Sequence, residues 1–462
     1  MNQDKDNPML AGDRKTRIFW LAALSVSFLL SAFAAFRGGY VGPDYWTHLP
    51  RLMEWPRIFD FSTTSPPTYY LLGHWLYLLI GSSNAFPITL SILQAAINAL
   101  AMWWFFLYSE PRFKSPLLHL ALVFFLAFLP VRIIHATTIG TDCTTVPAFV
   151  LVLFLFNKFL ADETSTPKNA ALLGMGLALG VWSKYSFMAL LPAVFAIFVC
   201  LWKQRRWKIR RFATICILGL VLPAGLTLHS FWASAQVHGY NTEKHWLQSG
   251  AEPDMNYKDL FLVKASDVQL FSAPEYFGSP EHRAPQFFQY DIRVAHRHSY
   301  LGLLHLGIFT DTMNLFQVLT VPQHIESVLI PDQKIRRPWK TPVMVASMSL
   351  GILWTLCALI ATPWALFRAV KNLGKDELER EDAATLLGTA FFLLMFLPIP
   401  FIYAGTLFGY WTPRLILPSL LSFSLVAFLF IDQRIVRRSN KVAFAVLFLV
   451  IAQCAIEVII LA

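Results

Sequence analysis

The sequence predicts an all-α polytopic membrane protein of about eleven spanning helices, and three observations carry that prediction. Apolar runs close to twenty residues long recur along the whole chain. Of the 462 residues, 56% are hydrophobic and only 14% charged, against about 25% charged in soluble domains. The basic residues collect in alternate loops, as they do when one set of loops stays in the cytoplasm.

The runs lie at approximately 18–36, 87–107, 117–136, 146–161, 169–183, 186–202, 212–231, 342–367, 384–404, 414–431 and 442–461. Each is long enough, as a helix, to cross most or all of roughly 30 Å of hydrocarbon with every backbone group bonded internally. The first follows Arg14, Lys15 and Arg17. It reads as a retained span, with cleavage after the small residues near Ala34 as the other possibility.

Pro66–Ile80 is also apolar, but it is short, opens Pro-Pro and carries His74. Charge decides its placement. If it does not cross, Arg14, Lys15 and Arg17 share a side with Arg112 and Lys114, with Lys158 and Lys168, and with the cluster Lys203, Arg205, Arg206, Lys208, Arg210 and Arg211. Arg368, Lys371, Lys375 and Arg380, and then Arg434, Arg437, Arg438 and Lys441, join them. If it crosses, all later loops invert and the six-residue cluster faces outward. The segment is therefore expected to lie at the outer surface or to insert partway. The N-terminus is then cytoplasmic and the C-terminus outside.

The expected organisation is an N-terminal transmembrane module, 1–231, whose first outer loop is 37–86, then an extracytoplasmic loop region, 232–341, then C-terminal helices, 342–462. The long loop mixes Pro, His, Tyr and both charge signs, so it reads as folded, with short helices on the membrane face. No repeat or separable soluble domain is visible. The formal charge of +10 is explained by topology, not by nucleic-acid binding. Cys143, Cys200, Cys216, Cys357 and Cys454 show no zinc or disulfide spacing and read as small buried hydrophobes.

The same topology brings the polar residues with chemical potential to the outer helix ends. In the first outer loop, Gly42-Pro43-Asp44-Tyr45-Trp46-Thr47-His48, a carboxylate just past the first span can take a proton from an attacking hydroxyl. By spacing alone Asp44 reads first as a helix N-cap. In Thr137-Thr138-Ile139-Gly140-Thr141-Asp142-Cys143, Asp142 either caps the next helix or holds a divalent cation or a donor phosphate. Arg132 and His135 nearby suit phosphate oxygens, or else anchor at the interface. Gly180-Val181-Trp182-Ser183-Lys184-Tyr185 interrupts a long apolar stretch. A lysine there is costly unless a tight turn brings it to a polar surface, where it would pair with phosphate. In Gly409-Tyr410-Trp411-Thr412-Pro413-Arg414, the aromatics suit an interfacial belt and Arg414 suits a phosphate. His296, Arg297, His298 and Asp311 are further candidates in the long loop, whereas Glu281-His282-Arg283 reads as solvated surface.

Taken in order, these segments resemble the GT-C superfamily of membrane glycosyltransferases. The relevant groups are the bacterial aminoarabinose and lipopolysaccharide-sugar transferases and the related protein O-mannosyltransferases of family 39. The carrying residues are Pro43-Asp44-Tyr45, Thr63-Thr64-Ser65-Pro66-Pro67 with Tyr69-Tyr70 after it, Asp142, the Gly-rich span from Gly174 to the Ser183-Lys184-Tyr185 turn, and Arg414 with Pro418. The phrase around Pro66-Pro67 also looks like the endoplasmic-reticulum glucosyltransferases that use dolichyl-phosphate-glucose. The resemblance covers roughly 18–200 and, loosely, the last three spans. Two positions depart from the pattern: Tyr45 stands where a second acid often follows, and Ser65 stands where Lys or His often precedes Pro-Pro.

The resemblance implies a GT-C-like bundle with juxtamembrane helices in the first outer loop. It implies transfer of a sugar from a polyprenyl-phosphate-linked donor to a glycan, lipid or protein acceptor on the extracytoplasmic face of a bacterial inner membrane. Asp44 would be the base or catalytic carboxylate, and Asp142 would assist through a divalent cation (Mg or Mn, held by Asp44 and Asp142) or by positioning the donor. His48, Arg132, His135 and Tyr410 would contact substrate, and Lys184 and Arg414 would hold the polyprenyl phosphate. A polymerase or ligase of another membrane fold shares this sidedness. A lipid or sugar transporter would instead place its ionisable groups near the midplane, and a non-catalytic scaffold would make the polar residues dispensable.

Overall fold

A computed structural model describes residues 14–37, 45–54, 66–81, 85–162, 166–238, 283–284, 289–290, 300–309, 340–396, 416–436 and 440–461. Apart from a two-residue antiparallel pair, Arg283–Ala284 with Gln289–Tyr290, the regular structure among these residues is helical. The helices are α1 (Arg14–Phe36), α2 (Tyr45–Met53), α3 (Thr68–Ile80), α4 (Ala85–Ser109), α5 (Pro116–Phe128), α6 (Pro130–Thr137), α7 (Thr145–Ala161) and α8 (Pro167–Ser183). They continue with α9 (Leu190–Gln204), α10 (Ile209–Cys216), α11 (Leu222–His238), α12 (Tyr300–Phe309), α13 (Lys340–Leu373), α14 (Arg380–Phe396), α15 (Leu417–Phe430) and α16 (Asn440–Leu461).

Eight helical stretches among the described residues are long and apolar enough to cross a membrane by themselves. A ninth is broken: α5 and α6 meet at a 46° bend. The remaining two expected spans fall on α8 and α14, each 17 residues long, at the lower limit for a crossing. The described parts of all eleven expected runs therefore fall on helical segments.

Proline explains the bend. Pro130 has no N–H to offer the carbonyl of Leu126, four residues back, and its ring disfavours continued helix. Leu129 leaves helical geometry, with φ −56° and ψ 117°, and α6 restarts with Pro130 in its first turn. A second irregularity joins α10 to α11, where Ile217–Val221 forms a π turn. It carries Gly219 against the Phe198 ring and brings the Leu218 carbonyl so close to Gly174 of α8 that a Cβ there would collide with it. Close backbone approach through glycine is a common way for helices to pack in lipid, where apolar burial offers no drive.

The helix ends that sequence assigned to one side do meet at one end of the bundle. Arg17 of α1 pairs with Glu110 after α4 at 2.9 Å. Arg112 pairs with Glu379 and Glu381, ahead of and within α14. Arg368 of α13 reaches Asp382 at 3.1 Å and Glu381 at 3.3 Å, and Arg205 after α9 reaches Asp376 at 2.6 Å. A π turn at the end of α15, Ile431–Ile435, aims Asp432 at the start of α5. Its carboxylate accepts from the N–H of Lys114 at 2.7 Å and of Ser115 at 3.0 Å. The arginines that bias the topology thus also fasten the bundle.

The opposite end carries α2 and α3. The helix α3 spans only 13 residues, about 20 Å at 1.5 Å per residue, too short to cross. One face buries Tyr69, Tyr70, Gly73 and His74 against Leu52, Phe86 and Leu90. The other leaves Leu72, Trp75, Leu78 and Leu79 on the surface, as expected for a helix lying in the membrane interface.

The region expected as an outer loop contributes more than surface. The helix α12 packs beside α13 and is fastened there: His305 is 3.0 Å from the Thr355 hydroxyl and 3.0 Å from the Met348 carbonyl. Ser347 donates to the Phe309 carbonyl at 2.9 Å, and the Phe309 ring occupies the space a Cβ would take at Gly351. These partners lie within the candidate span Pro342–Leu373. So α12 enters the bundle alongside a spanning helix instead of resting on the membrane face. Its near-continuous apolar sequence, Tyr300-Leu-Gly-Leu-Leu-His-Leu-Gly-Ile-Phe309, suits a place among apolar helices, and the glycines and hydrogen bonds fix it there.

Candidate functional site

Residues 137–144 link α6 to α7 at the same end as α2 and α3, and one face of α4 holds them there. Ser91 donates to the Thr137 carbonyl at 2.5 Å. Asn98 donates to the Cys143 carbonyl at 2.8 Å and to the Gln94 carbonyl at 3.0 Å. Gln94 donates to the Tyr69 hydroxyl at 2.7 Å, tying in α3. Ser91, Gln94 and Asn98 are three and four residues apart, so they stand on one stripe of the helix. All three are buried. Burial foremost, then the neighbouring Cys143 and Tyr70, push the Tyr69 phenol well above its ordinary pKa, so it stays neutral.

The loop presents Asp142 from a 3₁₀ turn, Thr141–Thr144. Opposite it, α8 ends at Ser183, Lys184 is extended, and Tyr185–Ala189 forms the turn into α9. The Phe187 ring packs on Gly180, leaving no room for a side chain there. This tight reversal delivers the Lys184 ammonium onto the Asp142 carboxylate as an ion pair. Both side chains are largely shielded, at 14% and 12% exposure, so the attraction is less screened than at an open surface. Asp142 does not act as the cap of α7: the residue ahead of that helix is Thr144, which makes no side-chain capping bond.

The first outer loop reaches the same place through α2. His48 is buried, and its Nδ1 shares a 2.5 Å hydrogen bond with the Tyr70 hydroxyl. The edge of its ring lies where a Cβ at Gly140 would make contact, at 3.4 Å. Gly140 is two residues from Asp142. Arg51 stacks over the Tyr70 ring, 4.0 Å from its centre, a cation–π contact. His48, Tyr70, the 140–142 backbone and Lys184 thus form one continuous cluster at this end.

Arg132 was expected to bind substrate, and the structure gives its guanidinium another use. It donates to the Leu126 carbonyl at 2.7 Å, to the Ala127 carbonyl, and to Ser27 of α1. These carbonyls are among those released by the break at Leu129–Pro130, so the side chain repairs the backbone there. It is buried among the helices. His135 lies buried one turn further along α6. Asp44, Tyr410 and Arg414 lie outside the described residues, as do His296, Arg297, His298 and Asp311. Among the described residues no group of three His, Cys, Asp or Glu side chains is arranged to hold a metal. Asp142 is the one described member of the expected metal pair.

Ser91, Gln94 and Asn98 are participants that sequence reasoning passed over, whereas Tyr69 and Tyr70 entered it only as part of the Pro-Pro segment. The signal for the first three was present: polar residues at helical spacing inside an apolar span demand partners.

No family model matches the chain, and no curated protein matches it. Among solved structures, the S. cerevisiae protein O-mannosyltransferase complex bound to the sugar donor is similar over 50% of this chain and 36% of its own, at 13% identity and a TM-score of 0.35. The Archaeoglobus fulgidus oligosaccharyltransferase in the apo form is similar over 94% of this chain and 56% of its own, at 13% identity and a TM-score of 0.46. The chain thus spans about a third and just over half of the length of those two proteins.

Proposed function

We propose that this protein is a membrane glycosyltransferase that moves a sugar from a polyprenyl-phosphate-linked donor to an acceptor hydroxyl at the extracytoplasmic face. The observation that carries the reading is the Asp142–Lys184 ion pair, set against the helix that follows Asp44. Two of the motifs whose order resembles the GT-C enzymes meet there in space. A third, at Tyr69-Tyr70, supports His48 beside them.

In this reading the donor approaches from the bilayer with its phosphate at Lys184 and Arg414. The acceptor oxygen attacks the anomeric carbon while Asp44 takes its proton. The bond from that carbon to the phosphate oxygen breaks, and its electron pair stays on the phosphate. Negative charge grows on the leaving group, so cations fixed beside it stabilise the transition state more than the ground state. Asp142 keeps Lys184 aimed. Where a divalent cation takes part, Asp44 and Asp142 would be its carboxylate ligands. The N-terminus and the arginine-fastened end would be cytoplasmic, in a bacterial inner membrane.

Two variants test the scheme. With undecaprenyl monophosphate as the probe and tryptophan fluorescence as the readout, Lys184→Ala should weaken binding about 10- to 100-fold, the worth of one charge-assisted hydrogen bond. Asp44→Asn should retain that binding and lose sugar transfer in membrane vesicles. Transfer by Asp44→Asn at normal protein levels would remove Asp44 as the base, and unchanged binding by Lys184→Ala would remove the phosphate site.

A further inference from the structure

At the arginine-fastened end, the turn between α9 and α10 carries six basic residues within 203–211. They do not all serve one purpose. Arg205 turns inward: it pairs with Asp376 at 2.6 Å and donates to the carbonyls of Asp162 at 3.1 Å and Leu160 at 3.0 Å. Arg211 leans over the Trp207 ring, 5.9 Å from its centre. Lys203, Arg206, Lys208 and Arg210 are exposed, and none of them makes an ion pair or side-chain hydrogen bond among the described residues.

The turn that presents these four is held in one shape. Arg206 takes a left-handed backbone conformation, φ 49°. The Trp202 indole donates to the Trp207 carbonyl at 2.8 Å, and its ring stacks on Phe212 with centres 4.7 Å apart. No side chain caps the first turn of α10, so its positive end adds to the same surface. The nearby carboxylates are already engaged. Asp376 is held by Arg205, and Asp162 accepts from the Thr166 N–H and hydroxyl and from Asn169. Glu377 is exposed on the α13–α14 connection, with Lys375 two residues away.

The surface below this charge is apolar and open. Ile209, Ile217, Val221 and Leu222 are all exposed, and of the eight single-stretch candidate spans, Ile209–His229 is the least covered by the rest of the bundle. A ligand fitting both parts has an anionic head and a hydrocarbon tail running alongside α10 and α11. A soluble polyanion would satisfy the charge and leave the apolar strip unused.

We infer that Lys203, Arg206, Lys208 and Arg210 form a binding site for the headgroup of an anionic phospholipid of the surrounding leaflet, whose acyl chains lie along α10 and α11. A basic residue near a membrane surface favours anionic lipid by about 1 kcal/mol, which is about fivefold in affinity. The site is separate from the Asp142–Lys184 cluster and does not depend on the reaction proposed for it.

The test is native mass spectrometry of the full chain in mild detergent, titrated with phosphatidylglycerol and with phosphatidylcholine of the same acyl chains. The unaltered chain should retain phosphatidylglycerol in clear preference. Replacing Lys203, Arg206, Lys208 and Arg210 together by Gln should reduce that preference at least tenfold. Replacing the exposed Lys158, Lys168, Lys371 and Lys375 by Gln should leave it in place. Equal retention of the two lipids by the unaltered chain would overturn the inference, and that comparison stands even if the fourfold variant does not accumulate. Equal loss in both variants would overturn it too, by showing that total charge and not this turn selects the lipid.

Discussion

Lys184 shows how a charge can end an apolar helix. Left alone at that position it would be strongly disfavoured. The reversal after Ser183 and the carboxylate of Asp142 make it tolerable. Asp142 in turn depends on α4, because Asn98 and Ser91 fix the backbone on either side of it. Asn98→Leu would strand the Cys143 carbonyl without a donor inside the bundle. That should cost about 2 kcal/mol, read as a lower melting temperature in detergent. Transfer activity should fall further than the loss of folded protein explains, because the loop carrying Asp142 is loosened. A variant with normal stability would show that the loop is held by other means. Lys184 and the Gly180 turn could be read from sequence as a place where a lysine must reach a polar surface. That the surface would be Asp142, 42 residues away, could not.

Among the helices, irregularities do the positioning. The Pro130 bend releases backbone acceptors, and Arg132 is spent on them. Pro130 was visible in the sequence, but the coupling was not, because the reach of a guanidinium depends on which way the second half-helix tilts. The π turn at Ile217–Val221 places the Leu218 carbonyl against Gly174. Gly174→Leu would force α8 away from that rod. Overpacking of this kind costs roughly 1–3 kcal/mol, and it should appear as reduced accumulation and a lower melting temperature. Gly225, which has open space around its missing Cβ, provides the control: Gly225→Ala should be nearly neutral. Equal tolerance at both positions would mean that the close approach at Gly174 is not part of the native packing.

The bundle as a whole is polarised. One end is fastened by arginine–carboxylate pairs in which Glu381 and Asp382 are fully buried. The other gathers His48, Tyr70, Asp142 and Lys184. If the fastened end is cytoplasmic, a cysteine introduced at position 208 (Lys208→Cys) should resist a membrane-impermeant maleimide in intact cells and react once the membrane is opened. Labelling of intact cells would invert the bundle and move the Asp142–Lys184 cluster to the cytoplasm. The five native cysteines require the unaltered chain as the reference.

The approximate number and length of the helices were legible along the chain because they depend on a one-dimensional quantity, the length of an apolar run against the thickness of hydrocarbon, and the arginines and lysines of alternate loops marked the helix ends that gather together. The short Pro66–Ile80 segment forms a helix of only 13 residues, below the length of a crossing. Which polar residues meet depends instead on how helices distant in sequence pack and tilt, and no local pattern encodes that. Asp142 and Lys184 meet because the loop after α6 and the turn after α8 arrive at one end of the bundle together. Arg132 is withdrawn because a neighbouring bend needs its donors. The helix α12 leaves the expected outer region for the side of α13 because Ser347, Thr355 and the space above Gly351 receive it there.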